Sequence, residues 1–343
     1  MDKPSSTSSS DSPALGPAWG GAWLLAVLLC AGLMFALDSH WRARGHQAHP
    51  VDSMALWAMQ RERAYQSEPE ALLLLGASRI QAAIDLKHLR GLAPEYRPLM
   101  LAVNGSYPMA VLRDLAEDEH FRGVVVVDIE ANGLLQMFFD LQQPQVDYYR
   151  RGYTPSWRLH RVALTRLQRS TVLADPRFSA VATLRHLWQG TEPFLNYAHF
   201  RADRGTEIDF QKTDSAAVRE HFRRGIEETV AAWQGVRPDP QTWLQELAPV
   251  FEWAQRIEDR GGRVIFYQSP LGGGHVEVWD RVYPPADYWD RFVATSPFPV
   301  VDGRSIERLA SFELPDESHL DYRDKVAFTE AWWAELRARG LPR

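Results

Sequence analysis

From Ala18 to Leu37 the chain runs for 20 residues without a charge, rich in Leu, Ala, Val and Trp. Such a segment must be kept from water, and about 20 residues of helix cover a ~30 Å hydrocarbon core. The run therefore predicts a transmembrane helix over 18–37. It is longer than the apolar region of a usual cleaved signal peptide, and no small-x-small cleavage site closes it before Asp38. A lipoprotein signal is not formed either, because Leu29 stands before Cys30 where a small residue is needed. The Ser-rich, Pro-containing tail 1–17 has too few large apolar residues to pack and is expected to be disordered. Arg42 and Arg44 follow the run while only Lys3 precedes it, so positive-inside counting points to a cytoplasmic body.

Residues 38–68 are mostly polar, with Val51, Met54, Leu56, Trp57 and Met59 offering apolar surface, and read as a helical stalk leading to a body over 69–343. Within the body, Ala71–Leu75, Pro98–Val103, Gly123–Asp128, Gly262–Tyr267 and Phe298–Val301 are short apolar runs bounded by Gly, Pro or polar residues. Runs that do not alternate suit strands buried on both faces, and the helical patterns between them predict a flavodoxin-like, doubly wound parallel five-stranded sheet. Residues 131–255 are far too many for one crossover and imply a helical insertion. In it, Tyr148, Tyr149, Arg150, Arg151, Tyr153, Trp157, Arg158, Arg161, Arg166 and Arg169 form a basic, aromatic cluster, readable as a solvated helix face or as a surface for phosphates or an anionic polymer.

The net charge of -6 gives no basic footprint for nucleic acid, and none is expected as a partner. A single cysteine rules out an intramolecular disulfide and a cysteine-based metal site. His275 and Glu277 do not have a metal spacing. Gly272-Gly273-Gly274-His275 lacks the ending of a phosphate-binding loop and reads as a mobile rim. No cofactor or metal is expected.

Two segments carry candidate chemistry. Leu72-Leu73-Leu74-Leu75-Gly76-Ala77-Ser78-Arg79 puts a serine just past the first strand, where open parallel sheets bind ligands and where Gly76 allows a tight turn. Near the C-terminus, Asp316-Glu317-Ser318-His319 places an acid three residues before a histidine. A serine nucleophile needs a base, and the base needs an acceptor that fixes its tautomer. No Gly-x-Ser-x-Gly elbow occurs, which argues against the ordinary α/β-hydrolase arrangement.

A first-strand Gly-x-Ser with a late Asp-x-x-His before a final amphipathic helix resembles the first and last blocks of the SGNH (GDSL-like) hydrolases. The resemblance implies Ser78 as nucleophile, Asp316 as acid and His319 as base. Asn104-Gly105-Ser106 after the second strand and Glu130-Ala131-Asn132-Gly133 after the third match Gly105 and Asn132 to the family's oxyanion hole. The first block here reads Gly-Ala-Ser-Arg rather than Gly-Asp-Ser-Leu, and the third lacks the glycine and aspartate of Gly-x-Asn-Asp. An N-terminal span followed by such a domain is similar to SGNH-like proteins that accompany membrane-bound O-acyltransferases in acylation of bacterial envelope polysaccharides. That likeness implies a single-pass protein of the bacterial inner membrane with a periplasmic body, against the arginine count. It also implies an acyl donor or envelope carbohydrate as ligand and a membrane-bound O-acyltransferase as partner. The expected activity is that of a serine esterase or O-acyltransferase. The weakened third block leaves open a binding or assembly subunit that keeps the fold without turnover.

Overall fold

The computed structural model describes residues 17–66, 68–193, 196–233 and 237–340. Residues 1–16 of the tail expected to be disordered lie outside the described residues. The described strands are β1 (Glu70–Leu75), β2 (Tyr96–Met100), β3 (Val124–Asp128), β4 (Ala198–Phe200), β5 (Thr206–Ile208), β6 (Arg263–Gln268) and β7 (Val300–Asp302). Five of them form one parallel sheet in the order β2-β1-β3-β6-β7.

The pleat explains why these strands are apolar throughout. Leu73, Leu75, Val125, Val127 and Phe266 join the core on one face, while Leu72, Leu74, Val126, Ile265 and Tyr267 join the core on the other. Helices Met109–Glu117 and Ala248–Asp259 cover the first face; helices Leu86–Leu92 and Lys325–Ala338 cover the second. Full burial of each Leu or Val contributes roughly 1.5–3 kcal/mol relative to exposure. A one-residue slip of β1 would gain nothing, since both faces are apolar; its register is fixed by ladders to β2 and β3 on either side. Because β1 lies inside the sheet between β2 and β3, where the strand order reverses, its C-terminal end opens at the topological switch point of the sheet.

By its internal contacts the chain divides into two compact units: one is His49–Ser170 with Leu195–Arg343, and the other is Met1–Ala48 with Thr171–Phe194. The sheet lies in the first. Helix Met54–Glu62, on the segment read as a stalk, belongs to that unit's core: Ser53 caps it, Leu56, Trp57 and Ala58 are buried, and Trp57 Nε1 donates to Leu101 O at 2.8 Å. A stalk of solvated helix would not bury a tryptophan in this way.

The long insertion is not wholly helical. Besides helices Pro155–Ser170 and Ser215–Trp233 it contains the antiparallel hairpin β4–β5. Its final helix, Ala248–Asp259, packs on β6 as part of the sheet's own layer. The basic cluster is mostly exposed, as Arg151, Trp157, Arg166 and Arg169 show, but part of it is engaged within the unit: Arg150 pairs with Asp114, Arg158 with Glu62, and buried Arg161 donates to Val51 O. In the second unit, the helix Pro17–Ala43 contains a stretch from Trp19 that is long and apolar enough to cross a membrane.

Candidate active site

Gly76 ends β1 with φ +144, and a Cβ built on it would lie 2.8 Å from Asp128 Cβ and 3.0 Å from Asp128 O. Only glycine permits both the conformation and the approach of β3. Gly76 O is held by the N–H of Val103 at 3.0 Å and by Gln142 Nε2 at 3.1 Å. Ala77 is extended, and Ser78 opens the short helix Ser78–Ala83. The turn thus delivers the serine hydroxyl to the end of the sheet.

The loop after β7 brings the acid and the imidazole. Asp316 Oδ1 accepts the backbone N–H groups of Ser318 at 3.0 Å and His319 at 2.7 Å, while Oδ2 lies 2.8 Å from His319 Nδ1. Burial works against the charge of Asp316, but its hydrogen bonds from His319 and the attraction of that ring outweigh it and hold the carboxyl below its ordinary range. A carboxylate only accepts, so the proton sits on Nδ1 and the Nε2 lone pair is directed at Ser78 Oγ, 2.8 Å away. Glu317, between acid and base, has φ +66, and its carbonyl accepts the N–H of Gly272 at 2.9 Å, tying this loop to the one after β6.

Ser78, Asp316 and His319 all line one cavity of about 520 Å³, and Gly105 lines it too. Ser106 N–H donates to Val103 O, closing a turn in which Gly105 takes the left-handed φ of +67. Asn132 departs from the arrangement expected of it. It is buried, is not on the cavity wall, and its Nδ2 donates to Tyr107 Oη at 2.7 Å, so it supports the Tyr107 ring that does line the cavity. From the same strand end it is Glu130 that reaches the wall, paired with Arg79. Burial disfavours the Arg79 charge, but Glu130 and Asp128 overcome this and raise its pKa.

Several lining residues had no signal strong enough to be singled out as site residues. The hairpin β4–β5 contributes Phe200, Thr206 and Ile208, and helix Ser215–Trp233 contributes Phe222, whose ring centroid is 5.9 Å from that of His319. His275 begins no mobile rim; it lies in helix Gly273–Val282, 2% exposed and on the wall. Burial lowers its pKa, against the pull of Glu317 and Asp316, and favours the neutral ring. Both its ring nitrogens, both amide atoms of Gln81 and the hydroxyl of Thr206 are buried without a hydrogen-bond partner among the described residues, and all three residues line the cavity. Buried polar groups are normally paired, so three such neutral donor–acceptor groups on one cavity wall stand out. The sequence offered one clue, the three glycines that bring His275 under Glu317: a Cβ on Gly273 would meet that carboxyl at 2.2 Å.

No protein-family profile matches the sequence, and a search of curated proteins gives no match. Six solved chains match it. One, described as "Crystal Structure of TesA", is 13% identical, with a TM-score of 0.33, covering 78% of this chain and 99% of that one.

Proposed function

We propose that the chain is a membrane-anchored serine esterase or O-acyltransferase of the SGNH hydrolase type, acting on an acyl ester of a cell-envelope carbohydrate from the periplasmic side of the inner membrane. The observation that carries the chemistry is the continuous relay Asp316–His319–Ser78, with 2.8 Å at each step. His319 Nε2 takes the hydroxyl proton as Ser78 Oγ attacks the ester carbonyl. Backbone N–H groups at Ser78 and Gly105 are assigned to the oxyanion, with Tyr107, braced by Asn132, beside them. His319 then gives its proton to the leaving alkoxide, and an acyl-serine remains. Water resolves it in an esterase; a second sugar hydroxyl, deprotonated by the same imidazole, resolves it in a transferase.

The wall supports the substrate class. Phe138, Leu141, Phe200 and Ile208 give an acyl group apolar contact, whereas Gln81, Thr206 and His275 can each both donate to and accept from a hydroxyl. The cation beside the nucleophile, Arg79, is already neutralised by Glu130, so the site favours a neutral polyol over a phosphate or carboxylate. A binding subunit without turnover would have no need to aim His319 at Ser78. A fluorophosphonate should label the wild-type chain and not the Ser78→Ala variant, both folded by circular dichroism; equal labelling of the two would reject this serine.

A further inference from the structure

Helix Ala180–Gln189 is packed with its polar side inward. Thr183 is fully buried, its Oγ1 accepting from Trp41 Nε1 at 2.9 Å, and the His186 ring lies edge-on to the same indole. Outward, Val181 is 69%, Leu184 67% and Trp188 89% exposed, with Leu187 beside them. Positions 181, 184 and 188 are one stripe of a helix, and Arg185 flanks it. A helix in water does the reverse, burying the leucines and exposing the threonine.

This helix shares its compact unit with the candidate membrane span, and that span fixes where it sits. Asp38 Oδ1 accepts from Thr171 Oγ1 at 2.8 Å and from Val172 N–H at 2.7 Å, and Trp41 packs on Phe178 and bonds Thr183. Trp41 is four residues beyond the last residue of the apolar run, Leu37, about 6 Å along the helix axis. The headgroup layer extends roughly 5–8 Å outside the hydrocarbon on each side. Trp41, and the helix bound to it, therefore stand at headgroup depth when the run spans the bilayer.

We infer that helix Ala180–Gln189 is a second membrane contact, lying in the interface with Val181, Leu184 and Trp188 inserted at the boundary of headgroups and acyl chains. An exposed apolar stripe flanked by a cation, with a tryptophan near its end, is what such a plane requires. The occupant of the stripe is lipid because the stripe shares one compact unit with the exposed apolar helix from Trp19 to Phe35 and stands at headgroup depth when that helix spans. Two contacts restrain the tilt and rotation of the unit, which one span alone leaves free. The inference rests on the membrane anchor and is independent of the chemistry proposed for Ser78.

The test uses the full chain in vesicles of phosphatidylcholine and phosphatidylglycerol, labelled with an environment-sensitive fluorophore at one cysteine. Native Cys30 reports the span. A Cys30→Ser, Trp188→Cys variant reports the helix, at a side chain exposed enough to be changed without loss of fold. The label at position 188 is expected to emit to the blue of its position in water, and to lose more emission to lipids carrying a nitroxide near the headgroup than to lipids carrying it near the chain end. The label on Cys30 should show the opposite order. Water-like emission at 188, unquenched by either lipid while Cys30 is quenched, would overturn the inference and leave the anchor standing. Stronger quenching at 188 by the deep nitroxide would overturn the interfacial placement. Absence of quenching at Cys30 would remove the anchor, and the inference with it.

Discussion

His319 Nε2 lies 2.8 Å from Ser78 Oγ across 241 positions of chain. The two meet because β1 and β7 run parallel in one sheet, so the turn after β1 and the loop after β7 both open at the strands' carboxyl ends. The third member, Asp316, sits on the far side of the imidazole and fixes which nitrogen carries the proton.

Asp316→Asn isolates that role. An amide at the same place can still bond Nδ1, but its NH2 group would hold the tautomer with the proton on Nε2, which cannot accept from Ser78. We expect kcat for ester hydrolysis to fall by about 10³–10⁴-fold with KM little changed, as for loss of the acid in a comparable triad. A pH–rate profile and KM-against-kcat comparison check this; a drop of only a few-fold would remove Asp316 from the relay.

Gly76→Ala tests the turn. The added Cβ would meet Asp128 at 2.8 Å and Ile80 at 2.9 Å, with φ at +144, so something must shift. Strain and overpacking together are expected to destabilise by about 3 kcal/mol. Urea unfolding gives the loss, and the activity should fall further than the folded fraction does, because Ser78 is only two residues away. Gly105→Ala provides the contrast: a Cβ there meets nothing within 4 Å, so only the strain of φ +67 remains.

The sheet was legible because its residues are apolar for a reason that sequence reports directly: both faces are covered, so Leu72–Leu75 and Val124–Val127 run without alternation. The meeting of Ser78, His319 and Asp316 was readable in outline for a similar reason, since Gly76 before Ser78 and the three-residue spacing of Asp316 and His319 are local features. What stayed hidden depends on distant packing. Asn132 turns to Tyr107 rather than to the cavity, a choice made by neighbours 25 residues away. The hairpin β4–β5 has strands of 3 residues each, too short for periodicity to show, yet it builds one wall. Trp57 looked like the apolar patch of a stalk because nothing in its own segment announces that Leu101 O awaits its indole.

Asp128, beneath Gly76, gives a pH dependence of stability. Burial pushes its carboxyl up to about 6 from an ordinary 3.8, against the attraction of Arg79. Between those values the folded chain binds a proton that the unfolded chain has released, so this group's contribution falls as pH rises from about 4 to about 6. Asp128→Asn keeps an oxygen for the N–H of Ser269, now 2.9 Å from Oδ1. The variant should be more stable than wild type at pH 7, on the order of 1–3 kcal/mol, with the advantage vanishing towards pH 4. Urea unfolding at both pH values measures it, and an advantage independent of pH would contradict the raised carboxyl.

Lys325 gives the opposite limb and links stability to the cavity wall. Its Nζ is buried and donates to Thr206 O at 2.7 Å, at the start of β5. Burial brings its pKa down to about 8 from 10.5, with Asp85 and Glu207 resisting. From about 8 to 10.5 the unfolded chain holds a proton that the folded chain loses, so the contribution of this lysine rises with pH over that window. Lys325→Met removes the titrating group and also the bond to the hairpin. Wild type should therefore gain stability relative to the variant from pH 8 to pH 10, and the variant's looser hairpin should raise KM for the ester more than it lowers kcat. A difference that stays constant across that range would mean that the lysine does not titrate there.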